Sequence, residues 1–208
     1  MSIQESSATK NHILRSYFVF IVFNFVFYYF LVFLASAILS TQYVVAEVTT
    51  SRNFITYENR ANGFKIGYPS NWEKLEFSGD VEEGHRKMIV NFISPSESPS
   101  DTFREYLIIE ISTGSGLSIQ YHINSYLISL ESLPNFKIVE SSTFSLAGSP
   151  AQKLVYTYSN PEVGLTKTMD VLVSKSEKLY LLSFNSDALK YNSYLPTVQK
   201  MIDSFQFI

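Results

Sequence analysis

The chain of 208 residues has no cysteine. That excludes thiol catalysis, thiolate-held zinc and iron–sulfur clusters. It does not argue against export, because a domain of this size builds a core without disulfide staples. Histidine is nearly as scarce. There are three, of which only His85 and His122 follow the first apolar run, too few for a histidine-rich metal centre. No Gly-rich phosphate loop, His-Glu-x-x-His zinc pair or Gly-x-Ser-x-Gly nucleophile elbow occurs. The serines are many, but none is spaced with a histidine and an aspartate in a way that suggests a triad. Nor is there a basic stripe. The formal net charge is −3, with +1 before the apolar run and −4 after it, so a nucleic-acid partner is not expected.

Charge is also missing from one long run. Tyr17 to Leu39 holds 23 residues without Asp, Glu, Lys, Arg or His, ten of them Phe or Tyr. As a helix it would reach roughly 35 Å at about 1.5 Å per residue, enough for a hydrocarbon core of about 30 Å. Lys10, His12 and Arg15 precede it, and positive charge beside a first apolar segment stays inside. The expectation is a cytoplasmic stretch 1–16, a transmembrane or signal helix 17–39, a spacer 40–53 and an exported domain 54–208. The helix is either a retained anchor or a signal peptide cut near Val44-Val45-Ala46. Its length exceeds the usual 7–15 residues of a cleavable core and favours the anchor.

Within the domain, turn residues and period-two patterns alternate. Phe54–Tyr57 and Phe64–Tyr68 read as strands around the turn Asn62-Gly63. Trp72 follows Pro69 as an anchor over a sheet edge. Glu73 to Lys87 is polar and reads as a loop or connection. Met88–Ile93 and Glu105–Thr113 read as strands, the second with Leu107, Ile109 and Ile111 on one face. Ser118–Leu133 has helical spacing, with Ile119, Ile123, Tyr126, Leu127 and Leu130 on one side and His122 bordering it. Two strand pairs follow, 136–146 with 151–158 and 165–174 with 179–185. Ser193 is the expected cap of a closing helix, which would put Pro196 in its first turn. Tyr194, Val198, Met201, Ile202 and Phe205 share a face of that helix. Tyr156, Tyr158, Tyr180, Tyr191 and Tyr194 read as core or rim residues.

Three segments carry a family resemblance. Residues 57–72 contain Gly63-Phe-Lys-Ile-Gly-Tyr-Pro-Ser-Asn-Trp72. Residues 146–156 contain Gly148-Ser-Pro-Ala151, and the closing segment 194–205 ends in Ser204-Phe205. In order and spacing these resemble the PsbP-like family over residues 54–208. The resemblance implies an α+β fold, an α/β/α sandwich with a central antiparallel sheet. The family's founding members are extrinsic subunits of photosystem II in plants and cyanobacteria, where they help retain calcium, chloride and manganese at the oxygen-evolving centre. Members without a photosystem, including archaeal membrane-anchored ones, look similar. The implied role is non-enzymatic: a tethered module docked on a membrane protein complex at the outer face.

Ion binding is the alternative, with an unrecognised hydrolase a third reading. Asp80, Glu82, Glu83 and His85 bring three carboxylates and an imidazole together around Gly84. Carboxylates suit calcium or manganese, and the imidazole would favour manganese or zinc. The segment does not follow the EF-hand pattern, and a solvated loop between strands is the simpler explanation. The anchor reading makes a direct prediction. N-terminal sequencing of the protein from membranes should find the segment 1–46 still attached, whereas a mature chain starting near Glu47 would show cleavage.

Overall fold

The computed structural model describes residues 54–78, 86–113 and 119–208. The apolar run 17–39, the spacer 40–53 and the acidic segment with Asp80, Glu82, Glu83 and His85 lie outside them. Among the described residues no helix is long and apolar enough to cross a membrane.

The domain opens on a hairpin, β1 (Phe54–Asn59) and β2 (Phe64–Pro69). Gly63 sits at the turn with φ +75°, a conformation that costs a side chain with a Cβ. The Asn59 side chain accepts the Asn62 amide at 3.0 Å and fastens the same turn. A two-residue strand at the far end of the chain, β10 (Gln206–Phe207), pairs with β2 to complete a small sheet of order β1-β2-β10.

The remaining strands build the main sheet: β3 (Glu73–Glu76), β4 (Arg86–Ile93), β5 (Tyr106–Thr113), β6 (Lys137–Leu146), β7 (Ser149–Asn160), β8 (Gly164–Lys175) and β9 (Lys178–Asp187). Their order is β3-β4-β5-β9-β8-β7-β6, and every neighbouring pair is antiparallel. Two of its hairpins close over tight two-residue turns. Ala147-Gly148 and Ser176-Glu177 all take positive φ, the mirror-image turn that matches strand twist.

Alternation gives this sheet two unlike faces. Leu107, Ile109 and Ile111 of β5, Met169, Val171 and Val173 of β8, and Leu182 and Phe184 of β9 join one large core cluster. The same cluster takes Phe64 and Ile66 from β2, and Val198, Met201 and Ile202 from the closing helix α2 (Tyr191–Asp203). The other helix, α1 (Ile119–Leu130), belongs to a smaller cluster, where Tyr126 and Leu130 meet Leu154, Tyr156, Leu172 and Leu181. The architecture is mostly antiparallel sheet with one helix packed on each face, and the small sheet shares the face of α2.

Two expectations need correction. Residues 73–76 are a strand, not part of a loop. All four are exposed, so no alternation betrays them. Backbone pairing to β4 defines the strand, and Glu73 accepts Arg104 Nη1 at 2.8 Å. The closing helix starts at Tyr191, with Lys190 in the cap position and no side-chain cap bond, so Ser193 does not cap it and Pro196 lies inside it. Tyr191 fixes the early start. Its ring packs on Phe184 at 5.3 Å, with the Lys167 ammonium 4.2 Å from its centroid. Pro196 cannot donate to Asn192, but both residues face solvent, where water serves the free carbonyl.

Phe64 is fully buried and stacks on Phe205 at 5.6 Å, with Tyr57 and Tyr180 at 6.0 and 6.1 Å. Phe64→Ala is expected to lower unfolding free energy by about 3–5 kcal/mol, read by urea denaturation. A loss below about 1 kcal/mol would show that this cluster does not hold the two sheets together.

Candidate functional site

Three surfaces of the domain carry polar or apolar groups that the bare fold does not require. The first lies beneath α1. Cross-strand pairing aligns Tyr156, Thr168, Asn185 and Tyr106 in one row and Leu154, Asp170, Ser183 and Ile108 in the next. Thr168 and Asp170 are fully buried. Thr168 donates to Asn185 at 2.9 Å, and Asn185 donates to Ser183 at 3.0 Å. The Tyr126 hydroxyl of α1 donates to one Asp170 oxygen. The other, Oδ1, has no hydrogen-bond partner among the described residues. Arg86 lies with its guanidinium carbon 4.5 Å from the Tyr126 centroid and 3.4 Å, by Nη1, from Glu110.

Burial pushes the Asp170 carboxyl up to about 6, against the opposing pull of the Ser183, Tyr126 and Tyr156 hydroxyls and the Arg86 charge. Burial, and then the same carboxylate, drive the Tyr126 and Tyr156 hydroxyls well above the ordinary tyrosine range. Tyr106 is pushed to about 12, mainly by burial. These hydroxyls therefore stay protonated, and that of Tyr126 donates to Asp170. The cluster ties α1 to the sheet and encloses the carboxylate beneath the helix.

A second cluster binds the loop between β4 and β5 to the start of α2. Lys190 Nζ reaches Glu97 at 2.8 Å and Asp101 at 3.3 Å. Tyr194 donates to Glu97 at 2.6 Å, and the Glu97 amide donates to Asp101 at 3.0 Å. Lys190 is held well above its ordinary range, first by the bond to Glu97. Nearby Glu105 is fully buried, and neither of its carboxylate oxygens has a partner among the described residues. Its pKa is raised by burial. Lys190 occupies the place between Glu97 and Asp101, and no group of three or more His, Asp or Glu among the described residues is arranged to hold a metal ion.

The third surface is apolar and open. Leu75 and Phe77 stand two residues apart at the outer edge, where β3 pairs with β4 and the Phe77 amide donates to Ile89 at 3.0 Å. Leu75 is 42% exposed, Phe77 38% and Met88 of β4 42%. Such side chains usually hide, and here three are grouped on neighbouring strands.

The expectations for Trp72, His122 and the five tyrosines agree with their positions in the domain. Trp72 is buried and meets Tyr194 edge-on at 6.2 Å, as an anchor should. His122 is half-buried on α1 beside Tyr121, at 6.0 Å between rings. Tyr156, Tyr180 and Tyr191 are core residues, while Tyr158 and Tyr194 lie at its margin. A cleft of about 770 Å³ at the turn end, lined by Arg60, Lys175, Lys178 and Phe207 among others, contains neither an imidazole nor a carboxylate pair. Sequence reasoning missed Asp170. Thr166, Thr168 and Asp170 alternate with Met169 and Val171, a pattern that looks like a solvated strand face until a helix covers it.

A broad antiparallel sheet, one helix on each face and a small sheet locked against the second helix define a PsbP-like domain. The chain belongs to the PsbP-like protein family, whose model matches residues 36–207. No curated relative matches the sequence. Solved structures share the fold at low identity. The cyanobacterial PsbP of Synechocystis sp. PCC 6803 superposes with a TM-score of 0.54 at 14% identity, covering 75% of this chain and 93% of its own. LpqN of Mycobacterium tuberculosis, involved in cell envelope biogenesis, gives 0.52 at 15% identity over 74% and 89%. PA94 of Pseudomonas aeruginosa, of unknown function, gives 0.51 at 14% over 73% and 95%.

Asp170 predicts a signed pH effect. Its folded pKa lies above the unfolded value near 3.9, so its contribution is fully present below about pH 4 and is lost as pH rises through about 6. Asp170→Asn removes that loss. The unfolding free energy of the variant relative to wild type should rise by about 2–3 kcal/mol from pH 4 to pH 7.5. A pH-independent difference would place the carboxyl in a solvated setting.

Proposed function

We propose that this protein is a non-enzymatic docking module, tethered to the membrane by its segment 17–39, that binds and stabilises a membrane protein complex on the extracytoplasmic side. The observation that carries the reading is the exposed apolar group Leu75, Phe77 and Met88. Apolar side chains clustered on a surface mark interaction sites, and the rest of the β3 edge is charged through Glu73, Lys74 and Glu76. An apolar centre with a polar rim is the anatomy of a protein interface. Family membership agrees with a binding role, and LpqN, which shares the fold, is involved in cell envelope biogenesis. Tethering would add to weak docking by raising the local concentration of the domain at the membrane.

The test is crosslinking in native membranes with a photoreactive residue at position 75 or 77, followed by purification and mass spectrometry. One recurrent membrane complex should be recovered. Leu75→Glu with Phe77→Glu should cut that recovery at least tenfold while changing stability by only about 0.5 kcal/mol. Equal recovery from the double variant would move the docking surface elsewhere, and recovery of the protein alone would overturn the assembly reading.

A further inference from the structure

On the sheet face opposite α1, a cavity of about 200 Å³ opens between strands β6 to β8 and helix α2. Its floor is apolar: Met169, Val171 and Ile202 are all but fully buried, and Phe144 packs against the same core. Its mouth is polar, with Ser142, Lys153 and Gln199. Strand pairing puts Ser142, Lys153 and Val171 in one row across three strands, so Lys153 starts beside the apolar floor and its ammonium reaches Glu140 at the mouth. An enclosed apolar cavity of about 150 Å³ takes up a benzene-sized guest, and this pocket, open at its polar mouth, has room for one of similar size.

The charge at the mouth selects the head of the guest. Lys153 Nζ meets Glu140 at 2.6 Å, and the Ser142 hydroxyl donates to the same carboxylate at 3.2 Å. Lys153 first, with a smaller contribution from Lys167 on β8, holds the Glu140 carboxyl below its ordinary range. On the helix side Gln199 gives its amide to Asp203 at 2.8 Å. Glu140 is 47% exposed, and an ion pair open to water adds little stability. A ligand carboxylate can therefore replace Glu140 on Lys153 at small cost and gain burial of an apolar tail that Glu140 does not have.

We propose that this cavity is a binding site for a short apolar monocarboxylate, its tail against Met169, Val171 and Ile202 and its carboxylate on Lys153. The site does not depend on the docking role and lies apart from Leu75, Phe77 and Met88.

The test uses the full chain in detergent with carbon-13 in the methionine methyl groups. Met169 lines the cavity, and Met88, exposed on another strand, is the internal control. Titration with hexanoate should move the Met169 signal saturably and leave Met88 in place. Acetate, which has no tail, should move neither, and hexanol, which has no charge, should bind at least tenfold more weakly than hexanoate. Lys153→Met should weaken hexanoate at least tenfold and leave hexanol unchanged. Glu140→Gln should tighten hexanoate several-fold, because it removes the internal competitor. Ser142→Phe should block the mouth and abolish both. If that variant misfolds, the opposite signs expected of Lys153→Met and Glu140→Gln still decide the matter. An unmoved Met169, equal binding of hexanol and hexanoate, or weaker binding by Glu140→Gln would each overturn the proposal.

Discussion

Phe64 stacked on Phe205 is the contact on which the rest of the domain depends. Phe64 belongs to the first hairpin, and Phe205 follows the last helix. Tyr180 of β9 sets its edge against both, at 6.1 and 6.0 Å, and Phe207 closes the group at 5.2 Å from Phe205. One aromatic cluster thus joins the small sheet, the large sheet and the chain end. Burying a large apolar side chain is worth about 1.5–3 kcal/mol, and a well-oriented aromatic pair adds about 0.5–1.5 kcal/mol. A polar contact fixes the register beside it. The Gly67 amide donates to Ser204 Oγ at 2.8 Å. A Cβ at Gly67 would stand only 3.1 Å from that oxygen, so the close approach of strand and helix end favours glycine. The resemblance motifs at the two ends of the domain, Gly63 to Trp72 and Ser204-Phe205, are the two halves of this one joint.

With that joint made, the faces of the main sheet take different roles. The face of α2 is lined mainly with apolar side chains. The face of α1 carries Thr166, Thr168, Asp170, Ser183 and Asn185, all buried. Thr166 Oγ1 and Asp170 Oδ1, both on β8, lack partners among the described residues. A buried polar group left unpaired costs about 1–3 kcal/mol. The smaller cluster beneath α1 must offset that cost, whereas α2, with buried Glu105 near its start, packs on the larger core. Local opening follows low local stability, and the balance of terms assigns it to α1 before α2.

The elements legible in the sequence are those whose pattern a single neighbour explains. Leu107, Ile109 and Ile111 alternate because one face of β5 is core, and Tyr126 and Leu130 fall at helical spacing because one side of α1 is. Gly63 and Gly148 announce turns, because glycine accepts positive φ without cost to a Cβ. The illegible elements are those decided by a distant partner. The strand 73–76 is written in Glu and Lys and exists because β4 offers it backbone groups. Helix α2 begins at Tyr191 because Phe184 and Lys167 hold that ring, although Ser193 is the better cap by type. Asp170 becomes a buried acid because a helix encoded some forty residues earlier lies over it. The acidic constellation 80–85 was legible as chemistry, but its residues lie outside those described.

The edges of the main sheet constrain how a partner can meet it. An exposed outer strand invites strand addition, and proteins discourage this with short strands, charges and bulges. Here β3 has four residues, three of them charged. The opposite edge, β6, is longer but shifts register between Ile138 and Glu140, which breaks the run of free backbone groups. Neither edge is built for main-chain pairing. What the β3 edge does offer is side chains: Leu75, Phe77 and Met88 present an apolar surface beside groups of both charges. A partner recognised there would be selected by the shape of its own apolar surface, and binding would survive backbone changes on β3 better than the loss of those side chains.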